Sequence, residues 1–221
     1  MLQENKLAKL IKGEFWNFYY SPNIFVCRWR VTTTKKGKKP VPQATTDQSI
    51  TCCVTSESQK FYLSASYGCN EGIDRRRLWS HLSHMHDSFS QDPWILAGDF
   101  NIIAHPSESL NYNGSQVVTS DIREFTECTL QLSVFDHAYT GPNFTWSNRQ
   151  QDGFLARKLD RVLINDNWLT SFPHSTVEFL SPEESDYCAA MMQLHTVSNS
   201  PPKPFKVFNY WTKHSRVFED C

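Results

Sequence analysis

The run Trp94-Ile95-Leu96-Ala97-Gly98-Asp99-Phe100-Asn101 ends an apolar segment on a carboxylate and an amide. Two positions apart on a strand, Asp99 and Asn101 would share one face while Phe100 turns into the core. A carboxylate can act as base or metal ligand, and a neutral amide can donate to an oxyanion. At a strand end both stay within reach of a substrate, which suits the chemistry of phosphate esters. The competing reading is a strand-to-turn cap in which both side chains bond local backbone.

The elements around this segment follow from periodicity. Leu2, Leu7, Leu10 and Ile11 could line a short helix, and Ile24 to Val31 alternates like a strand. Thr32 to Pro42 is polar and basic and reads as a loop. Ile50–Val54 and Phe61–Tyr67 form a hairpin. Leu78, Leu82, Met85 and Phe89 mark one face of a helix with Asp74 as its N-cap. Pro93 leads into the strand that ends at Asp99. A second helix starts at Asp121, with Glu124 as capping-box partner and Ile122, Phe125 and Leu132 buried. Gly141-Pro142-Asn143 turns into a strand at Phe144–Trp146, and Leu159–Ile164 is another. Val177–Leu180 and Ala189–Leu194 flank a loop that carries Asp186. Strands interleaved with helices predict α/β layers of unspecified topology.

The chain has 221 residues, a formal net charge of -1 and 14% aromatic residues. This composition supports a packed core and excludes disorder, while bulk charge does not announce a nucleic-acid partner. The 7 Cys are scattered without CxxC spacing; reduced thiols, no disulfide-linked partner and an intracellular setting are expected. No apolar run reaches membrane-spanning length, and no signal-peptide core is present, so no membrane is expected. A single domain over residues 1–198 is expected, then a proline-punctuated linker over 199–221.

Gly98-Asp99-Phe100-Asn101, Phe144-Thr145-Trp146-Ser147-Asn148, Lys158-Leu159-Asp160-Arg161-Val162 with Trp168, and Ser185-Asp186 occur in an order that resembles the endonuclease/exonuclease/phosphatase superfamily. Tyr67-Gly68, Arg77-Leu78-Trp79 and Lys203 to Trp211 resemble, within it, the endonuclease domain of plant non-LTR retrotransposons. The resemblance implies a four-layer α/β sandwich of the deoxyribonuclease I type and metal-assisted phosphodiester hydrolysis with Mg2+ or Mn2+. It implies that Asp99 aligns or activates the attacking water and that Asn101 holds the phosphate or that water. Tyr67 would donate to a phosphate oxygen. Asp186 would sit with Asp99 at the metal, and Asp160 would orient the imidazole that follows Asp186. DNA is the implied partner of a monomer, in the nucleus if chromosomal DNA is cut. Arg75, Arg77 and Asn148 are the implied nucleic-acid contacts.

Two departures bear on activity. The family pattern Ser-Asp-His reads Ser185-Asp186-Tyr187 here. A tyrosine, with an unperturbed pKa of about 10, carries no positive charge near neutrality. Losing one stabiliser of transition-state charge costs on the order of 100- to 1,000-fold in rate. The family's N-terminal strand and its metal-binding Glu have no counterpart before Met1-Leu2-Gln3-Glu4, and Glu4 reads as a solvated helix residue. The expectation is a DNA-nicking endonuclease with impaired or lost activity, with a metal ligand missing. The alternative is a non-catalytic nucleic-acid-binding remnant. A phosphatase acting on small molecules rests on fold analogy alone.

Other residues have plainer readings. Asp160-Arg161 could be a surface ion pair, and Tyr67 could be a core aromatic. His81, His84 and His86 read as surface residues without metal-ligand spacing. His137 is one candidate to replace the lost imidazole. Lys35, Lys36, Lys38 and Lys39 read as a solvated loop. Arg75, Arg76 and Arg77 open a helix, where the dipole disfavours cations, so a phosphate-facing role competes with a local one.

Overall fold

Alternating apolar residues build two six-stranded sheets that pack face to face. The structure is a computed structural model that describes residues 19–21, 24–27, 32–33, 41–55, 59–111, 117–182 and 186–194. The first sheet runs in the order β4 (Val41–Thr45), β5 (Ser49–Thr55), β6 (Lys60–Tyr67), β7 (Trp94–Asp99), β12 (Asp160–Asn165), β8 (Val134–Asp136). The second runs β3 (Thr32–Thr33), β1 (Tyr19–Ser21), β2 (Ile24–Cys27), β14 (Ala189–Gln193), β13 (Thr176–Leu180), β9 (Tyr139–Thr140). A short hairpin, β10 (Trp146–Ser147) with β11 (Ala156–Arg157), stands apart from both.

The expected hairpin is β5–β6, antiparallel from Ser49↔Ser66 to Thr55↔Lys60. β6 and β7 are parallel, so the chain must cross over between them, and helix α1 (Gly72–Phe89) is that crossover. β7 and β12 are antiparallel. Side chains of odd and even positions then separate cleanly. Phe61, Leu63, Ile95, Ala97, Val162 and Ile164 face the second sheet, where Val177, Phe179, Ala190 and Met192 meet them. Trp94, Leu96 and Leu163 face the other way, under Leu78, Trp79 and Leu82 of α1 and Phe125 and Cys128 of helix α2 (Ser120–Gln131). Helix α3 (Asp166–Ser171) puts Trp168 into the core between the sheets. The fold is α/β as expected, and three layers of the expected four-layer sandwich, one of helices and two sheets, lie among the described residues.

Several boundaries differ from the sequence reading. The loop expected over Thr32 to Pro42 carries strand residues at both ends: Thr32–Thr33 pairs with β1, and Val41–Thr45 is a strand containing Pro42. It is the edge of its sheet, where a residue without an N–H is tolerated, and the register shifts between Pro42 and Ala44. Helix α1 starts earlier than Asp74: Glu71 occupies the N-cap position with no side-chain cap bond, and Asp74 lies in the first turn. Helix α2 is capped by Thr119, whose Oγ1 accepts the Ile122 N–H at 3.3 Å. Glu124 does not complete a capping box; it receives a two-pronged bond from Arg76 at 2.9 and 2.7 Å. The segments at 134–136, 139–140 and 156–157 are too short to show a period. The expected helix near Leu2–Ile11, Glu4, the lysine run at 35–39 and the 199–221 linker lie outside the described residues.

Arg161 is not a surface residue. It is 2% exposed and pairs with Glu108 and, at 2.6 Å, with Asp136. Lys158 joins Asp136 at 3.0 Å, completing an ion cluster behind β12 in which Arg161, Lys158 and Glu108 are buried and Asp136 reaches solvent. Among the described residues Cys52, Cys53, Cys69, Cys128 and Cys188 are free, and no helix is long and apolar enough to cross a membrane.

Candidate active site

Three strands of the first sheet bring three polar side chains abreast. Asp99 is the register partner of Asp160 on β12 and of Tyr67 on β6. Each lies on the face that, further along its strand, packs into the core between the sheets (Phe61 and Leu63; Ile95 and Ala97; Val162 and Ile164). The site therefore sits where that apolar core ends. Gly98 makes the close approach possible: its φ is +144°, and a Cβ there would stand 2.0 Å from the Ser66 carbonyl oxygen.

Asp99 is 2% exposed. Its Oδ1 accepts the Asn101 N–H at 2.8 Å, while its Oδ2 is buried without a hydrogen-bond partner. Asp160 likewise buries an unpartnered Oδ2. Burial pushes the Asp99 carboxyl up to about 6, against the pull of the Asn101 N–H, the Tyr187 hydroxyl and the Arg75 charge. Burial and then the Asp99 charge push Asp160 well above the usual carboxylate range, and Thr145 pulls the other way.

Tyr187 arrives from the second sheet. It bridges to Trp146 of β10, next to Cys188, whose N–H donates to the Thr145 carbonyl at 2.7 Å. Its phenol is raised above the usual tyrosine value by burial, then by the charges of Asp99, Tyr67, Asp160 and Asp186. Tyr187 is therefore near both carboxylates and stays a neutral phenol. Asp186 itself is exposed at the rim, with its carbonyl accepting the Ser147 N–H at 3.1 Å. The resemblance pairs Asp186 with Asp99 as metal ligands; the structure sets Asp160, not Asp186, directly beside Asp99.

Asn101 bonds backbone through its side chain, but 33 residues away in sequence rather than locally. Its φ is +51°, so the strand alternation has ended before it. Its Nδ2 donates to the Gly68 carbonyl at 2.6 Å. The nucleic-acid contacts expected from the resemblance are engaged elsewhere. Arg75 turns inward and is 3% exposed. Arg77 pairs with Asp47 at 3.1 Å and Asp74 at 3.5 Å. Asn148 organises its own loop: Nδ2 donates to Gly153 O and Gln150 Oε1, and Oδ1 accepts the Gln150 and Leu155 N–H groups. His137 is buried, with Nδ1 donating to the Ala138 carbonyl at 2.6 Å and Nε2 bonded to Ser175 Oγ at 2.9 Å. Burial lowers its pKa, and it does not replace an imidazole at Tyr187.

Thr145 is a site residue that the motif carried unrecognised. It is 1% exposed, and its Oγ1 accepts the N–H groups of Leu159 at 3.0 Å and Asp160 at 2.9 Å. It thereby fixes where β12 begins and where Asp160 points.

Among the described residues no group of three or more His, Cys, Asp or Glu side chains is arranged to hold a metal ion. The two unpartnered carboxylate oxygens nevertheless fit a hard cation. Mg2+ commonly binds through one or two carboxylates and keeps its remaining waters for a phosphate substrate.

The sequence pattern of the Endonuclease/Exonuclease/phosphatase family matches residues 69–186, more than half of the chain. The endonuclease domain of TRAS1, a telomere-specific non-LTR retrotransposon, shares the fold with a TM-score of 0.58 at 11% identity, over 88% of this chain and 92% of that one. Sphingomyelinase C from Streptomyces griseocarneus aligns with a TM-score of 0.48 at 10% identity, over 71% of this chain and 61% of that one. TDP2 from D. rerio, complexed with a single-strand DNA product, aligns at 0.45 and 15% identity, over 79% and 70%. A comparison with curated proteins finds no match. The matched stretch contains Asp99, Asn101, Asp160 and Asp186 and stops just before Tyr187, and on its extent the chain belongs to the endonuclease/exonuclease/phosphatase family.

Proposed function

We propose that this protein is a divalent-cation-assisted phosphodiesterase acting on DNA, derived from a non-LTR retrotransposon endonuclease and slowed by the tyrosine at position 187. The observation that carries the reading is the Tyr67–Asp99–Asp160 row, with a buried unpartnered oxygen on each carboxylate and Tyr187 nearby. Asp99 and Asp160 would hold Mg2+ or Mn2+. When bound, the cation supplies positive charge against the phosphate oxygens and acidifies water.

The chain's own groups do the rest. The ionised Asp99 takes a proton from the attacking water or aligns it. Tyr67 and Tyr187 donate neutral hydrogen bonds to phosphate oxygens. Neither brings the charge that an imidazolium would, so stabilisation of the developing negative charge is incomplete. A cleft of about 430 Å³ is lined by Ile102, Ile103, Leu155 and Arg157, on the segments that follow Asn101 and precede Asp160, and does not include the carboxylates themselves. Action on chromosomal DNA would place the protein in the nucleus.

The test is nicking of supercoiled plasmid at neutral pH with Mg2+ or Mn2+. Slow nicking is expected, abolished by chelator and by Asp99→Asn. Salt-sensitive DNA binding without nicking, unchanged by Asp99→Asn, would favour a non-catalytic binding remnant instead. The raised phenol of Tyr187 is the observation that keeps that second reading in view.

A further inference from the structure

Arg75 is a deeply buried cation, and its bonds run to the loops that shape the site. Its Nη1 donates to the carbonyls of Cys69 at 2.8 Å, Asn70 at 3.1 Å and Asn101 at 2.9 Å. Its Nη2 donates to Asp121 Oδ2 at 2.9 Å, on the first turn of α2. One planar guanidinium thus ties the loop after β6 to the turn after β7 and both to the helix layer. The same two loops are joined a second time: the Gly68 N–H donates to the Asp99 carbonyl at 2.8 Å, and Asn101 Nδ2 donates to the Gly68 carbonyl.

The surroundings are shaped for this clamp. Gly72 has no side chain, and a Cβ there would lie 2.3 Å from Asp121 Oδ2. A Cβ at Gly68 would lie 2.5 Å from the Phe100 carbonyl oxygen and 3.2 Å from the Arg75 side chain. The Asp121 carboxylate therefore rests against the N-terminal turn of α1, where negative charge is favoured, and it balances Arg75. A lysine could supply the charge but not the fork of donors.

We propose that Arg75 is a positioning residue for the candidate active site. It holds the left-handed turn at Asn101 and the Gly68–Asn70 loop, and through them the ends of β6 and β7 that present Tyr67 and Asp99. This rests on the reading of Asp99 as a working group. Position matters there because misplacing a reacting group by about 1 Å can cost on the order of 100-fold in rate.

The test compares the full chain with Arg75→Lys and Asp121→Asn, using Arg76→Gln, which breaks only an exposed pair, as control. Amide hydrogen exchange at Gly68 and Asn101 is read against Leu96 in the middle of β7. Both clamp variants should speed exchange at Gly68 and Asn101 at least tenfold while Leu96 is unchanged. In the nicking assay kcat should fall at least tenfold with KM for DNA within twofold. Exchange unchanged at both amides in both variants would overturn the proposal. So would faster exchange with unchanged kcat. A wild-type chain that does not nick would contradict the functional reading alone, and the exchange comparison would still decide whether Arg75 holds the turn.

Discussion

Asp99 shows how a single carboxylate can trade stability for chemistry. Its pKa in the native protein is about 6, against 3.8 ordinarily, so the native state holds its proton more tightly than the unfolded chain does. Stability therefore falls as pH rises from about 4 to 6 and stays lower above that. Asp99→Asn removes the buried charge. Urea unfolding should show the variant more stable at pH 7 by on the order of 1–3 kcal/mol, with the difference vanishing near pH 4. Nicking by the wild type should fall as pH drops through about 6, because only the ionised carboxylate can take a proton or hold a cation. Asp99, Tyr67 and Asp160 could all be picked out in the sequence by type and motif. That they stand abreast could not, since strand register is set by partners far along the chain. Asn101 was misplaced for a related reason. Alternation predicts a shared face only while the strand lasts, and its positive φ ends it.

The elements that hold these residues depend on small, buried devices. Thr145, on the segment leading into β10, is the clearest. Thr145→Val keeps the volume but strips the acceptor from two buried N–H groups. A loss on the order of 2–6 kcal/mol is expected in urea unfolding, from about 1–3 kcal/mol per unsatisfied group. Because the Asp160 N–H is one of them, nicking should fall too, even at temperatures where the variant stays folded. In β7, Gly98→Ala would force a Cβ against the Ser66 carbonyl in a backbone conformation that L-residues avoid. A cost on the order of 2–3 kcal/mol is expected, read as a lower Tm. Long periodic elements, the β5–β6 hairpin, β7, β12 and the body of α1, were legible from their apolar spacing. Helix starts were less so. Glu124 had the spacing of a capping box, but Arg76 on the neighbouring helix claims it, and no local rule sees across helices.

At the scale of the whole molecule, two sheets share one core and a largely buried ion cluster fastens the back of β12. Arg161 faces Glu108 and Asp136, which lie 53 and 25 residues away in sequence. Beside Asp160 it looked like half of a surface pair because its partners were remote. Burial alone would raise Asp136, yet Arg161 and Lys158 hold it below its ordinary value. That part of the stability is present above the ordinary carboxylate pKa and is lost as pH falls through the lower native value. Arg161→Met should destabilise the fold by on the order of 3–5 kcal/mol, since the buried Glu108 would keep its charge without this partner. Adding Glu108→Gln should recover part of that loss. Fold class, layers and family were legible because they depend on many weak signals in order. The account turns on one position, where the chain carries a tyrosine near a pair of carboxylates. The most direct measurement is the single-turnover nicking rate of Tyr187→His beside the wild type, in Mg2+, each with and without Asp99→Asn. The account predicts a rise of at least tenfold with histidine and loss of nicking in both Asp99→Asn backgrounds. Rapid wild-type nicking that histidine does not increase, or nicking that survives Asp99→Asn, would contradict it.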